Sequence, residues 1–476
     1  MIYTEGRDFM SFSKFLDSKR EDVKKLVAEL RKSFKYVSVL GVDIKSTNIR
    51  VQKGISNISS GNDTECGFVI KMNNGNAFYE YSLDDISGDI TSLAHDIVES
   101  LDVNASLMNN TIDNINLEEE ALIKSFIREN DFDSYKEGYL LNYSKDLCNK
   151  LLSKSECILN AVIGLGLLHV SKLFISSNKE LDQNYTWVNG MAVVVYNEND
   201  KVIQAHESSS YNLIGKVLEE LPTKLDKLVE KAHMLTLAKP ITPGVYDVIT
   251  APSITGLIAH EAFGHGVEMD QFVKDRALAK EYVGKYVASP IVNMRDGAAS
   301  VLSAASYFFD DDGVLAGDTQ IIKDGILITG ISDLTSATEL NSIPTGNGRR
   351  ETSRRKAYAR MTNTFFEAGK DKLEDMIKSI KHGYMLFETN NGMEDPKNWA
   401  IQCVAQYGIE IVDGKLTNNW VSPVVMSGYV PDLLKSITMI SDDFEIIGAG
   451  YCGKGYKEWV RVSDGGPALK AKVKLG

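Results

Sequence analysis

The stretch KPITPGVYDVITAPSITGLIAHEAFGHGVE, Lys239 to Glu268, divides the chain and sets the problem. Three of the ten prolines fall between Lys239 and Pro252, which marks a boundary between two regions. Beyond it, Pro252 and Ser253 open a predicted helix, Pro suiting a first turn and Ser a cap. Ile254, Leu257 and Ile258 give that helix a buried face, so His260 and Glu261 fall within it. Zinc-binding H-E-x-x-H segments place two histidines four residues apart on one helix face. Here the second histidine, His265, comes at the fifth position. At about 100° per residue, positions i and i+4 diverge by roughly 40°, but i and i+5 by roughly 140°. Two imidazoles so placed on a straight α-helix cannot share an ion. A single π turn, closed by i→i+5 bonds, returns them to one face. Alternatively Gly264 and Gly266 end the helix, and His265 swings in from the following turn. The competing reading makes both histidines ordinary polar residues of a capped helix.

Working outward, residues 11–34 have the three- and four-residue apolar spacing of an amphipathic helix, carried by Phe15, Leu16, Val23, Leu26, Val27 and Leu30. CGFVIKM and AFYEYSL flank NNGN at 73–76, a hairpin signal. Residues 84–107 and 117–154 read as mostly helical, with the EEE run at 118–120 near a helix start. Residues 156–212 turn β-like, with WVNGMAVVVY and KVIQAHESS flanking NEND, and 213–237 form another long helix. Past the boundary, IIKDGILI (321–328) and IEIVDGKL (409–416) each hold an Asp-Gly turn between β-branched runs. The expectation is an α+β protein of two domains. Residues 1–238 form a mixed helix and antiparallel-sheet half, with 1–110 and 111–238 as candidate subregions. Residues 239–476 form a β-rich half carrying the helix with the two histidines.

A chain of 476 residues with 43% hydrophobic and 25% charged content suits two or three soluble domains. A net charge of −13 and a pI near 5.2 argue against broad nucleic-acid binding, which needs a basic surface. Five scattered cysteines without a CxxC pair suit a reducing compartment. The opening residues lack the apolar core of a signal peptide, and CILNAVIGLGLLHV from Cys157 is too short to span a bilayer. The expectation is a cytoplasmic protein with neither nucleic acid nor membrane as partner.

GAGYCGKGYK (448–457) contains a literal GxGxxG and a near P-loop. Both nucleotide readings need a helix and a βαβ sheet around the glycines. About twenty residues remain, Gly465, Gly466 and Pro467 among them, so what survives is a tight turn presenting Cys452. Its thiolate suits zinc, while the alternative is a buried apolar cysteine. TGNGRRETSRRKAYARMTNTFFEAG (345–369) is the most basic segment, and Arg349, Arg350 and Arg360 are candidate substrate-binding forks for a carboxylate or phosphate. A solvated loop paired with nearby acids is the alternative. FFDDDGV (308–314) has consecutive rather than alternating acids and reads as a turn, not a calcium loop. There is no GxSxG elbow, and His169, His206 and His382 lack a sequence partner suggesting a nucleophile.

HEAFGHGVEMD, NGRRE with RMTNT, and GAGYCGKG together resemble the TldD/PmbA family on its TldD-like side. The resemblance extends through the early hairpin GFVIKMNNGNAF and the IIKDGILITGISD strand pair, over nearly the whole chain. It implies a zinc metallopeptidase of HExxxH type, with His260, His265 and Cys452 as ligands and Glu261 as the catalytic carboxylate. It implies unfolded or extended peptides as substrates, and a homodimer or a heterodimer with a PmbA-like subunit enclosing a cavity. PmbA-like relatives lack the motif. A non-catalytic, peptide-binding or chaperone-like subunit of the same dimer type is the alternative function.

Overall fold

The computed structural model describes residues 11–75, 77–105, 120–455 and 458–476. Strands taken from residues 36–211 form one eight-stranded sheet. Its centre is built from three long strands, Tyr36–Gln52, Ile158–Ser176 and Lys179–Glu198, paired antiparallel. The first helix, Lys14–Leu30, is capped by the Ser13 hydroxyl accepting from Leu16 N at 3.2 Å. Its stripe Leu16, Val23, Leu26, Val27 and Leu30 packs with Ile97 and Leu101 of the helix Ile90–Ala105 onto Val37, Val39, Phe68 and Ile70. Farther along the same strands, Ala161, Ile163, Ala192 and Val194 pack with the helices Glu137–Leu152 and Leu225–Leu237 through Leu147, Leu151, Leu225 and Leu228.

Both N-terminal hairpin expectations hold. Asn73 pairs with Phe78 and Glu198 with Lys201, and Asn199 and Asp200 take the positive φ that such a turn requires. Asn76 lies outside the described residues. The helix expected over 117–154 is corrected in part. Residues 117–119 lie outside the described residues, 122–127 form a strand parallel to Lys179–Glu198, and the helix begins only at Glu137. Leu122–Ile127 ends the sheet, so its outward-facing Ile123 and Ile127 are exposed and give no apolar pattern distinct from a helix.

From residue 244 onward the strands make two larger sheets. In one, His382–Asp395, Gly244–Thr250, Leu469–Leu475, Val424–Tyr429 and Ala400–Val412 pair in succession, and the last returns to pair with the first, closing a ring. The other runs Ile326–Leu327, Thr319–Lys323, Met294–Asp296, Asn363–Phe366, Glu458–Gly466 and Glu445–Lys454. Asp324 and Gly325, and Asp413 and Gly414, form the two Asp-Gly turns with positive φ throughout. The histidine helix lies between these two sheets, its Ile254, Leu257, Ile258 and Phe263 in one core with Phe366, Leu386, Ile401 and Trp399. Gly256 lets it lie directly on the strand Glu458–Gly466: a Cβ there would come within 2.5 Å of both Asp464 Oδ1 and Gly465 N.

The Asp310–Asp312 turn joins the two halves. Lys71 Nζ meets Asp312 Oδ1 at 2.7 Å, Lys172 pairs with Asp311, and Asp310 accepts from the backbone of Val314 and Gly348. The acids are spent on lysines and backbone of this one chain, consistent with a turn.

Candidate metal centre

The helix opens as α at Pro252–Leu257, with Ala251 rather than Ser253 at its cap position. The Ser253 hydroxyl instead accepts from Glu388 N at 3.0 Å, tying the helix to the strand His382–Asp395. From Ile258 to Gly264 it widens into a π turn, in which His265 N–H donates to His260 O, an i→i+5 bond. One 3-10 turn, His265–Val267, follows. The extra residue between the histidines is therefore absorbed by the wider turn, and the two rings stand 5.2 Å apart at 89°. Gly264 is bare where Met361 packs: a Cβ would meet its Sδ at 2.1 Å.

Cys452 arrives from far along the chain. It does not sit in a tight turn: Glu445–Lys454 is a strand, and Cys452 pairs across from Val460. The glycines that resemble a phosphate loop serve instead a bulge between Ile447 and Gly450 and a turn with positive φ at Gly455. Cys452 Sγ lies 3.4 Å from His265 Nε2, and the candidate ligand atoms of His260, His265 and Cys452 all lie within 4.8 Å of one another. Nitrogen and sulfur ligands of one tetrahedral zinc sit about 3.3–3.6 Å apart, so the cluster has the right size. His260 Nδ1 is buried without a hydrogen-bond partner among the described residues, so no protein group competes for that nitrogen. Two imidazoles and a thiolate are a zinc-type donor set, and these residues fit such an ion.

Glu261, in the π turn, places Oε2 3.9 Å from His265 Nε2. Glu268 accepts from His265 Nδ1 at 3.2 Å, which leaves Nε2 facing the cluster. The electrostatics follow from these contacts. Burial alone would raise the Cys452 thiol, but His260 and His265 outweigh it and hold it well below its usual value. Burial lowers His260, yet Cys452 more than compensates and brings it to about 9; His265 is likewise raised, by Cys452 and Glu268. Without an ion the trio is thus a thiolate between imidazolium rings. Burial would raise Glu268, but Lys454 and His265 carry it far below the carboxylate range. Glu261 is raised by burial, against the opposing pull of the two histidines. Asp464, buried behind His260, is pushed up to about 6, again by burial.

The three candidate arginines part company. Arg360 is fully buried and donates to Glu458 O and Cys452 O, each at 2.7 Å. Arg350 is buried against Glu80 and Arg355 O. Arg349 lies over the Tyr307 ring, donates to Met361 O at 2.8 Å, and lines, as Arg350 also does, a 1170 Å³ cavity. That cavity runs between the first sheet, at Asn48 and Met191, and the hairpin carrying Cys452, at Tyr451, Trp459 and Val460. None of His260, Glu261, His265 or Cys452 lines it; it adjoins them through Tyr451 and Val460. Reading the sequence missed Glu268, Lys454 and the internal role of Arg360. Only Glu268, three residues after His265, left a local signal.

This architecture defines a class: a closed sheet and an open one clasping a π-turned helix, with a histidine–cysteine cluster between them. Residues 243–474 match the family model of the PmbA/TldA metallopeptidase C-terminal domain. Over residues 243–474, therefore, the chain is similar to the C-terminal domain of the TldD/PmbA family. A metalloprotease of Methanothermobacter thermautotrophicus is 31% identical over 243 residues, 51% of this chain and 52% of that protein. The zinc metalloprotease TldD homolog of Saccharolobus solfataricus is 30% identical over 288 residues, 60% of this chain and 63% of that protein. In such matches the chain spans about half the length of the curated relatives it matches. TldE of Thermococcus kodakarensis has a TM-score of 0.75 at 16% identity, covering 96% of this chain and 100% of that one, a likeness of fold alone. Among the described residues no helix is long and apolar enough to cross a membrane.

Proposed function

We propose that this chain is a zinc-dependent peptidase cleaving unfolded or extended peptides, with His260, His265 and Cys452 as ligands and Glu261 as the proton carrier. The convergence of those three donor atoms within 4.8 Å, with Glu261 beside them, carries the reading. Bound there, zinc supplies a Lewis acid for the scissile carbonyl and makes water acidic enough to attack near neutral pH. Glu261 accepts the proton of the attacking water and returns it to the leaving amine, a role its raised pKa suits because the carboxyl must bind and release that proton. Glu268 keeps His265 in the tautomer that offers Nε2. Among the described residues Glu445–Lys454 ends the six-stranded sheet, so an extended peptide has an edge to pair with beside Cys452. Such main-chain pairing tolerates many side chains. The adjoining cavity, with Arg349 in its wall, is where the rest of the peptide would lie.

The protein is proposed to work in the cytoplasm as a dimer, with a second copy or a PmbA-like partner; the TldE-like fold supports the latter. Metal analysis and peptide digestion, with and without such a partner, test the scheme. Glu261→Ala is expected to keep zinc and lose cleavage, and Cys452→Ala to lose both. Stoichiometric zinc surviving the double replacement of His260 and Cys452 refutes the ligand set. Peptide binding without turnover by the zinc-loaded, partnered protein replaces the peptidase with a non-catalytic binding subunit.

A further inference from the structure

Two charged side chains that the scheme above leaves with no duty, Lys454 and Arg360, meet Glu268 directly behind the metal cluster. Lys454 stands two residues after Cys452, so both project from the same face of one strand. Its ammonium is almost wholly enclosed and uses all three of its hydrogens: on Glu268 Oε2 at 3.0 Å, on Asp270 Oδ1 at 2.6 Å and on Ala359 O at 3.0 Å. Glu268 Oε2 is also the atom that accepts from His265 Nδ1. One carboxylate oxygen therefore links the histidine that follows the π turn to the strand that carries the thiolate. Arg360 closes the frame from the other side, its Nη2 on the carbonyl of Cys452 itself and its Nη1 on Glu458 O across the hairpin. Its Nε points at Glu268 Oε1 from 3.7 Å, and neither atom has a hydrogen-bond partner among the described residues.

Burying three charges is costly unless each is held by several partners, and a simple apolar contact would fill the same space without that cost. What an apolar contact cannot do is fix direction. His265 and Cys452 come from elements far apart in the chain, a 3-10 turn and an edge strand, and a metal tolerates errors of only about 0.2 Å in its bonds. An edge strand is held by hydrogen bonds on one side alone, so Cys452 needs a second anchor, which Lys454 and Arg360 provide.

We propose that Lys454, Glu268 and Arg360 form a positioning frame that orients His265 Nε2 and Cys452 Sγ toward one ion and thereby sets the affinity for it. The frame rests on the ligand assignment proposed above. Lys454 and Arg360 are positioning residues: they act through Glu268 and through the strand, and touch neither ion nor substrate.

The experiment uses the full chain, with zinc affinity measured by chelator competition and the Co2+ complex examined by absorption spectroscopy. Lys454→Met keeps the buried stem and removes the charge; Lys454→Arg restores it. A matched control, Lys71→Met, removes a similarly buried lysine that pairs with Asp312 and Glu80 rather than with Glu268 or Asp270. Lys454→Met is expected to weaken zinc binding by about 10- to 100-fold and to change the thiolate-to-cobalt band. Lys454→Arg is expected to recover most of both, and Lys71→Met to leave both unaltered even if it melts earlier. Glu268→Gln, which keeps the shape and one acceptor, replaces Lys454→Met if the latter does not fold, with the same expected loss. Native affinity and a native cobalt spectrum in Lys454→Met or Glu268→Gln overturn the frame, as does an equal loss in Lys71→Met. If the unmodified chain binds neither zinc nor cobalt through Cys452, the ligand assignment itself fails, which is a separate result.

Discussion

Replacing Gly256 with alanine tests whether the seat of the histidine helix on its strand decides metal binding. A Cβ at this position would lie 2.5 Å from Gly465 N and 2.5 Å from Asp464 Oδ1, where an ordinary contact begins at 3.4 Å. The helix and the strand Glu458–Gly466 must then part by about 0.9 Å, because the obstacle is backbone and no rotamer change relieves it. That strand is the one to which the Cys452 strand is paired, so the displacement separates His260 from Cys452. A metal site accepts errors of about 0.2 Å, several times smaller than the shift. Alanine gains up to about 1 kcal/mol over glycine in a helix, whereas overpacking of this kind costs about 1–3 kcal/mol. The overpacking wins, and the variant is expected to melt a few degrees lower and to purify without stoichiometric zinc. Element analysis and thermal melts of metal-free protein measure the two effects separately. A Gly256→Ala chain that binds one zinc with native affinity refutes the reasoning, since the geometry would then have slack the contacts deny.

The proton balance of the cluster gives a second expectation. His260 is brought to about 9 and His265 is likewise raised, while Cys452 is held low, so at pH 7 metal capture expels protons from the imidazolium rings rather than from the thiol. Affinity should rise with pH up to about 9 and fall on acidification; calorimetry in buffers of different protonation enthalpy counts the protons, and a count near zero contradicts the thiolate–imidazolium picture. Glu268 acts on the stability of the metal-free protein. Its folded pKa is depressed, so its stabilisation is complete above the ordinary carboxylate value of 4.5 and is lost as pH falls below it; Glu268→Gln should flatten the acid limb of a melting-temperature profile. Glu261→Gln should keep the zinc and lower the rate of peptide cleavage by about 10²- to 10⁴-fold, with a native rate excluding it as proton carrier. Arg349→Met should raise KM for peptides with little change in kcat, because Arg349 lines the cavity without being a ligand.

Much of this protein is legible along the chain because the signals are local. Asn-Gly and Asp-Gly turns specify hairpins through their tolerance of positive φ, and the apolar stripe from Leu16 to Leu30 specifies a helix packed on one side. The spacing of His260 and His265 is informative for the same reason: a straight helix cannot use it, so a π turn or a break is required, and the π turn is what forms. Where local signals compete, reading fails. Leu122–Ile127 looks no more like a strand than a helix, because it is an edge with one face open. The glycines around Cys452 look like a turn, whereas pairing with Glu458–Gly466 extends them into a strand.

The sequence by itself determined the two-histidine helix, the need to distort it, and the turns that punctuate both halves, since each depends on residues within one or two turns of one another. Only the tertiary structure decided that Cys452 meets His265, that Lys454 meets Glu268 and that Arg360 holds the cysteine carbonyl. Those partners lie on separate elements, and strand pairing, not spacing, brings their atoms to within hydrogen-bond reach.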